Sequence, residues 1–112
     1  MIYADNAATT KLAPLAFELM LPFLRDNYSN PSSSHSFGKI AREAIESARQ
    51  QIAECIGASP EEIIFTSGGT ESNNWAIKGL VAVNKATKKH LVASSIEHHA
   101  VLNSCSSMKW NG

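Results

Sequence analysis

The sequence predicts an α/β fold. Three observations predict it: segments with apolar residues every three or four positions, two short β-branched runs set between them, and glycine-rich or polar turns at the junctions. The resulting order is helix, helix, strand, helix, strand, helix. A chain of 112 residues with 44% hydrophobic and 18% charged residues has the size and composition of one globular domain. No internal repeat or low-complexity tract interrupts it.

The opening IYADNAATT reads as a brief extended entry followed by a loop. Pro14 suits the first position of a helix, where its missing N–H is no loss, and Leu15, Ala16, Leu19, Met20, Phe23 and Leu24 then share one face. Pro22 lies inside that pattern and costs about 3 kcal/mol in a helix interior, so a kink or an end near Leu21 is expected. Residues 27–36, NYSNPSSSHS, form a loop, because Asn30-Pro31 favours a turn or extended backbone.

Ser36 is the expected cap of the next and clearest helix. There Ile40, Ala41, Ala44, Ile45, Ala48, Ile52, Ala53 and Ile56 repeat at helical spacing while Arg42, Glu43, Glu46 and Arg49 face away. Gly57 ends it at a C-cap position.

The run EEIIFTS, centred on Ile63–Thr66, reads as a strand buried on both faces, and HLVASS as a second one. Between them a helix is expected from Glu71 through Trp75, Ile77, Leu80, Val81 and Val83, fading at Asn84 and the lysines at 85, 88 and 89. Val101, Leu102, Cys105 and Met108 form the inner face of a last helix, followed by a turn.

Ten basic residues balance ten acidic ones, and no basic cluster exceeds Lys88-Lys89, so no electrostatic footprint for nucleic acid is present. No apolar run approaches the roughly 18 residues needed to cross a bilayer, and the N-terminus has no signal-peptide pattern, so no membrane partner and a cytoplasmic location are expected. Cys55 and Cys105 lie far apart and form neither a disulfide framework nor a zinc pattern; no metal site is expected, and both fall on apolar helix faces as core residues.

Two stretches carry chemistry. In FTSGGTESNN, residues 65–74, Gly68 and Gly69 occupy the turn between a strand and a helix. Glycine there permits positive φ and close approach of a ligand to the backbone. Free N–H groups at the helix start, with the hydroxyls of Ser67 and Thr70, would converge on an anion such as phosphate. The same residues also suit a plain tight turn with Thr70 as N-cap. A nucleotide P-loop is disfavoured, since no Gly-Lys-Ser/Thr follows, and the Gly-x-Gly-x-x-Gly pattern is also missing. In SIEHHAVLNSC, Glu97, His98 and His99 lie between the second strand and the last helix. His98 suits stacking on a planar ligand, proton transfer, or a capping role; metal binding is disfavoured because adjacent histidines diverge.

Taken in order, DNAATT, SNPSSSHSFG, FTSGGTESNN, AIKG and SIEHHAVL resemble the N-terminal part of a NifS-type cysteine desulfurase. The likeness runs from Tyr3 to the end of the chain. These class V aminotransferase family enzymes use pyridoxal 5'-phosphate and have the aspartate aminotransferase-like fold, fold type I. The resemblance implies that residues 1–14 are an N-terminal arm and loop, and that 15–112 begin the large cofactor-binding domain, with an incomplete sheet and flanking helices.

It further implies that Gly69 and Thr70 hold the cofactor phosphate and that His98 lies over the pyridine ring and helps to move protons. Asn6 and Ala7 match the substrate-side loop. Ala7 stands where relatives often have Asn or another small residue, a mild departure that puts any polar contact there in doubt, and Ala4 and Trp75 read as packing changes. Asn30 and His35 lie in a loop near the active site in the family and are assigned no chemistry.

In the family, L-cysteine is converted to L-alanine and sulfur remains as a persulfide on an enzyme cysteine, for iron-sulfur cluster assembly or thiolation. A homodimer and a sulfur-acceptor or iron-sulfur scaffold protein are the implied partners. The Schiff-base lysine, the aspartate on the ring nitrogen and the persulfide cysteine match no residue here. The expectation is therefore a fragment of the enzyme, inactive alone and lacking the strands that complete its sheet. The alternatives are a free-standing non-catalytic partner or phosphate-binding chain, and part of a related pyridoxal-phosphate lyase or aminotransferase.

Overall fold

The structure is a computed structural model and describes residues 1–84, 86–87 and 90–109. The lysines at 85, 88 and 89 and the turn expected at 110–112 lie outside the described residues. Among the described residues four helices form: α1 (Pro14–Arg25), α2 (Ser36–Ile56), α3 (Gly69–Asn84) and α4 (His99–Met108), with a short 3₁₀ turn at Pro60–Glu62. The chain divides into two compact units, Met1–Ile63 and Ile64–Gly112.

In the first unit, α1 begins at Pro14 as its chemistry dictates, but it does not stop at Leu21. It continues through Pro22 to Arg25. The proline forfeits one donor only, and its own carbonyl accepts the amides of Asp26 and Asn27 at 2.9 and 2.8 Å, which close the helix a turn later.

Helix α2 is capped by His35 rather than by Ser36: the imidazole Nδ1 accepts the Gly38 N–H at 3.3 Å. Ser36 is instead the first helical residue. The preceding loop folds on itself, with Asn30 Oδ1 accepting the Ser32 amide at 2.8 Å. It then lies so close to α2 that a Cβ on buried Gly38 would stand 2.4 Å from the Ser33 carbonyl oxygen and 2.9 Å from that of Asn30. Glycine is required there for space.

At the other end of α2, Gly57 takes φ 68° and donates to the Ala53 and Glu54 carbonyls, the left-handed cap read from the sequence. Arg49 fastens the C-terminal half of α2 to the end of the unit, donating to Glu46 at 3.0 Å and to the Ile63 carbonyl.

No strand forms among the described residues. Glu61 and Glu62, assigned above to a strand, belong to the 3₁₀ turn, where the Ser59 amide donates to Glu62 Oε2 at 2.8 Å. Residues 63–66 and 90–94 carry no ladder. The apolar composition of a central strand is present, but a ladder also needs a neighbour's amides and carbonyls, and the two runs do not pair with each other. The expected sheet is thus not seen among the described residues.

Burial follows the same logic. The only buried hydrophobic residues among those described are Ala41 and Ala53, while Leu15 is 72% exposed, Leu80 66% and Trp75 57%. The helices have their apolar faces but little lies against them. Cys55, expected in the core, is exposed beside exposed Ile52 and Ile56, whereas Ala53 on the same turn of α2 is buried.

In the second unit, α3 packs on α4. Val101, Leu102, Cys105 and Met108 are half-buried, as the helical spacing predicts, and Ser104 is buried among them. Its hydroxyl donates to the Ala100 carbonyl at 2.7 Å, so the buried oxygen is satisfied. Among the described residues no helix is long and apolar enough to cross a membrane.

Candidate functional site

Helix α3 starts at Gly69, two residues before the position expected, so Glu71 falls in its first turn. From there its carboxylate reaches back over the turn. Oε2 accepts the Ser67 N–H at 2.6 Å and the Ser67 hydroxyl at 2.8 Å. The backbone hydrogen bond from Ser67, and then the hydroxyl bond, hold the Glu71 carboxyl below the ordinary carboxylate range.

A second set of bonds ties the inner side of the turn. The hydroxyls of Thr66 and Ser72 lie 2.6 Å apart, and the Gly68 carbonyl is 3.3 Å from the first and 3.2 Å from the second. Each hydroxyl has one proton, so one donates to the other and that one donates to the carbonyl. The same carbonyl accepts the Ser72 amide at 3.1 Å.

These bonds consume the groups flanking the turn and leave its centre free. The N–H groups of Gly68, Gly69 and Thr70 have no acceptor among the described residues. A Cβ built on Gly68 or Gly69 would meet nothing within 4 Å, so this side of the turn is open. Neither glycine adopts positive φ, since Gly57 is the sole residue that does so among those described. The two glycines thus provide approach to the backbone and not an unusual backbone angle. The helix dipole adds positive potential at the same place, as at any helix N-terminus.

His98 is the N-cap of α4. Its backbone is extended, and its Nδ1 accepts the Ala100 N–H at 3.1 Å. The neutral ring in this cap therefore carries its proton on Nε2, because a capping nitrogen needs its lone pair. The His99 ring centroid is 6.3 Å away at an interplanar angle of 59°, a tilted pair of neighbouring rings. Thr70 and His98 thus stand at the N-terminal ends of two helices that pack together in one unit.

Asn6 and Ala7 belong to the first unit. They sit in an exposed turn closed by the amides of Ala8 and Thr9 on the Asp5 carbonyl at 3.1 and 3.3 Å, which also accepts the Tyr3 hydroxyl at 2.9 Å. Among the described residues no group of three or more His, Cys, Asp or Glu side chains is placed to hold a metal ion.

The sequence reading overlooked Glu71. The familiar capping signal spaces a serine and a glutamate by three, whereas Ser67 and Glu71 are four apart, with Gly68 between the serine and the helix. A serine, two glycines and an acid in the first turn were the available signal.

Comparison with known proteins matches residues 2–111 to the aminotransferase class-V family. Cysteine desulfurase IscS of Methanosarcina thermophila is 49% identical over 99% of this chain, and the chain spans 28% of that protein's length. Cysteine desulfurase IscS of Dictyoglomus turgidum is 55% identical over 93% of the chain, which spans 26% of that relative. Among solved structures, a NifS-like protein superposes with a TM-score of 0.88 at 39% identity, covering 96% of this chain and 30% of its own. The structure titled "SspA in complex with cysteine" gives a TM-score of 0.87 at 46% identity, over 98% of this chain and 32% of its own.

Proposed function

Because the chain belongs to the aminotransferase class-V family, we propose that it carries the cofactor-phosphate and ring-facing part of a cysteine desulfurase. The protein would cleave the C–S bond of L-cysteine, release L-alanine, and leave the sulfur as a persulfide on a cysteine thiol. The observation that carries this reading is the identity to proteins named cysteine desulfurase along nearly the whole chain. A structural relative solved with cysteine supports that amino acid as substrate.

Pyridoxal phosphate, when bound, supplies an electron sink for bond cleavage next to the amino-acid α-carbon. The donor set fits its phosphate: three amides without acceptors among the described residues, a threonine hydroxyl, and an open approach over two glycines. Gly69 and Thr70 donate to the phosphate oxygens in this reading. The helix dipole contributes about 0.3–1 kcal/mol for an exposed charge, so direct hydrogen bonds provide most of the hold.

His98 presents Nε2–H and the face of its ring, while Nδ1 is engaged with Ala100. In the neutral capped form it stacks or donates a hydrogen bond. To accept a proton at Nε2 the ring must first give up the proton that nitrogen carries, and a proton added to Nδ1 instead would break the cap. Asn6 and Ala7 would border the substrate side, with Asn6 as the polar contact.

The assembly would be a cytoplasmic homodimer that passes sulfur to an acceptor or iron-sulfur scaffold protein. The large exposed apolar residues of α1 and α3 support association. The 112 residues alone are expected to be inactive, since the Schiff-base lysine and persulfide cysteine have no counterpart among them. Incubating the full-length protein with pyridoxal phosphate, L-cysteine and a reducing thiol should release alanine and sulfide in equal amounts. Transamination without sulfide would favour a related aminotransferase, and no turnover would favour a non-catalytic partner.

A further inference from the structure

The bonds around the 66–72 turn are unevenly distributed, and that unevenness is informative. Ser67 has two donors and both are committed to one carboxylate, that of Glu71. Thr66 and Ser72 commit their hydroxyls to each other and to the Gly68 carbonyl. The next three amides, of Gly68, Gly69 and Thr70, are left without acceptors among the described residues.

A carboxylate in the first turn of a helix is normally expected to take the free amides itself, since it is an anion at the positive pole. Glu71 instead reaches behind those amides to Ser67, outside the helix. The acid nearest to the anion site is thereby held on Ser67 and away from the donors that an anion needs.

We propose that Glu71 is a positioning residue for the cofactor phosphate. It acts as a latch that fixes Ser67, sets the curvature of the turn, and keeps the 68–70 amides available. This rests on the pyridoxal-phosphate reading above, and assigns Glu71 a role through Ser67 and not through contact with the phosphate. With the latch open, the turn samples conformations in which the three amides no longer converge, and their affinity for a dianion falls. The geometry requires an acceptor at position 71; it does not require a charge. A neutral amide whose oxygen still accepts from Ser67 would hold the turn and remove a negative charge next to the phosphate.

The test is a spectroscopic titration of the full-length apoprotein with pyridoxal phosphate and, separately, with pyridoxal, which lacks the phosphate. Glu71→Ala is expected to weaken pyridoxal phosphate on the order of tenfold, the scale of one hydrogen bond to a charged group, and to leave pyridoxal unchanged. Glu71→Gln should bind pyridoxal phosphate at least as tightly as the wild type and pyridoxal with unchanged affinity. Ser67→Ala, which keeps the amide but loses the hydroxyl, should fall between.

Equal losses for the two ligands in Glu71→Ala, or no loss for either, overturn the positioning role. So does a Gln variant as weak as the Ala variant. Wild-type protein that binds both ligands equally well overturns the phosphate reading itself, and the latch with it. Thermal melts of each variant show whether a loss common to both ligands comes from unfolding, and the Ser67→Ala variant keeps the comparison available if Glu71→Ala does not fold.

Discussion

The carboxylate of Glu71 and the two donors of Ser67 meet across the start of α3, at 2.6 Å from the amide and 2.8 Å from the hydroxyl. Both bonds favour the ionised form, so this carboxyl loses its proton more readily in the folded chain than its ordinary value of 4.5. A folded-state value below the unfolded one adds stability that is fully present above the unfolded value. That stability is lost as the pH falls through the folded value. Carbon-detected NMR titration of Glu71 should give a midpoint below 4.5, with the Ser67 amide shift following it. A midpoint at or above 4.5 would show that the latch is not closed in solution.

Between the two His98 tautomers the one with its proton on Nε2 should predominate, because Nδ1 accepts the Ala100 amide. Nitrogen-15 NMR of the imidazole near neutral pH distinguishes the two tautomers directly. His98→Ala should cost about 1 kcal/mol in denaturant unfolding, the usual value of a helix N-cap, and His98→Asn should recover most of it. Equal stability of the Ala and Asn variants would argue against the cap.

Gly38→Ala should destabilise the first unit by about 1–3 kcal/mol, the range for forcing extra volume into a packed site. The added Cβ would stand 2.4 Å from the Ser33 carbonyl oxygen, and backbone cannot swing aside as a side chain can. Gly68→Ala, where a Cβ meets nothing within 4 Å, should leave stability nearly unchanged while weakening pyridoxal phosphate. Urea unfolding of both variants checks the contrast.

The isolated 112 residues should associate. Leu15, Leu19 and Leu24 of α1 and Trp75 and Leu80 of α3 are all exposed, an apolar display that water disfavours. Sedimentation of the purified chain at several concentrations should show species heavier than 12.1 kDa, and dye binding should report apolar surface. A dilution-independent monomer without dye binding would contradict this.

What the sequence made legible was local. Pro14 and Gly57 mark helix ends through backbone constraints that no distant contact alters, and the α4 face follows from spacing alone; on α2 only Ala41 and Ala53 of the expected face are buried, and Arg49, expected to face away, is half-buried on the Ile63 carbonyl. The strands at 63–66 and 90–94 were not decided locally, because an apolar run gives no information about whether a pairing edge is present. Pro22 was misjudged for a related reason: the lost bond was counted, but not the later closure on its carbonyl. At the candidate site the Gly69–Thr70 donors could be anticipated from the glycines, whereas the roles of Glu71 and of His35 as caps depend on which residue a helix starts with. A shift of two residues at the start of α3 was enough to conceal the latch.

The central claim is that the amides of Gly69 and Thr70, with the Thr70 hydroxyl, hold a cofactor phosphate while His98 faces the ring. A crystal structure of the full-length protein grown with pyridoxal phosphate tests it most directly. The account predicts phosphate oxygens about 3 Å from both amides, with the His98 ring stacked on the pyridine and Nδ1 still on Ala100. A phosphate held by other residues, or a His98 ring remote from the cofactor, would contradict it.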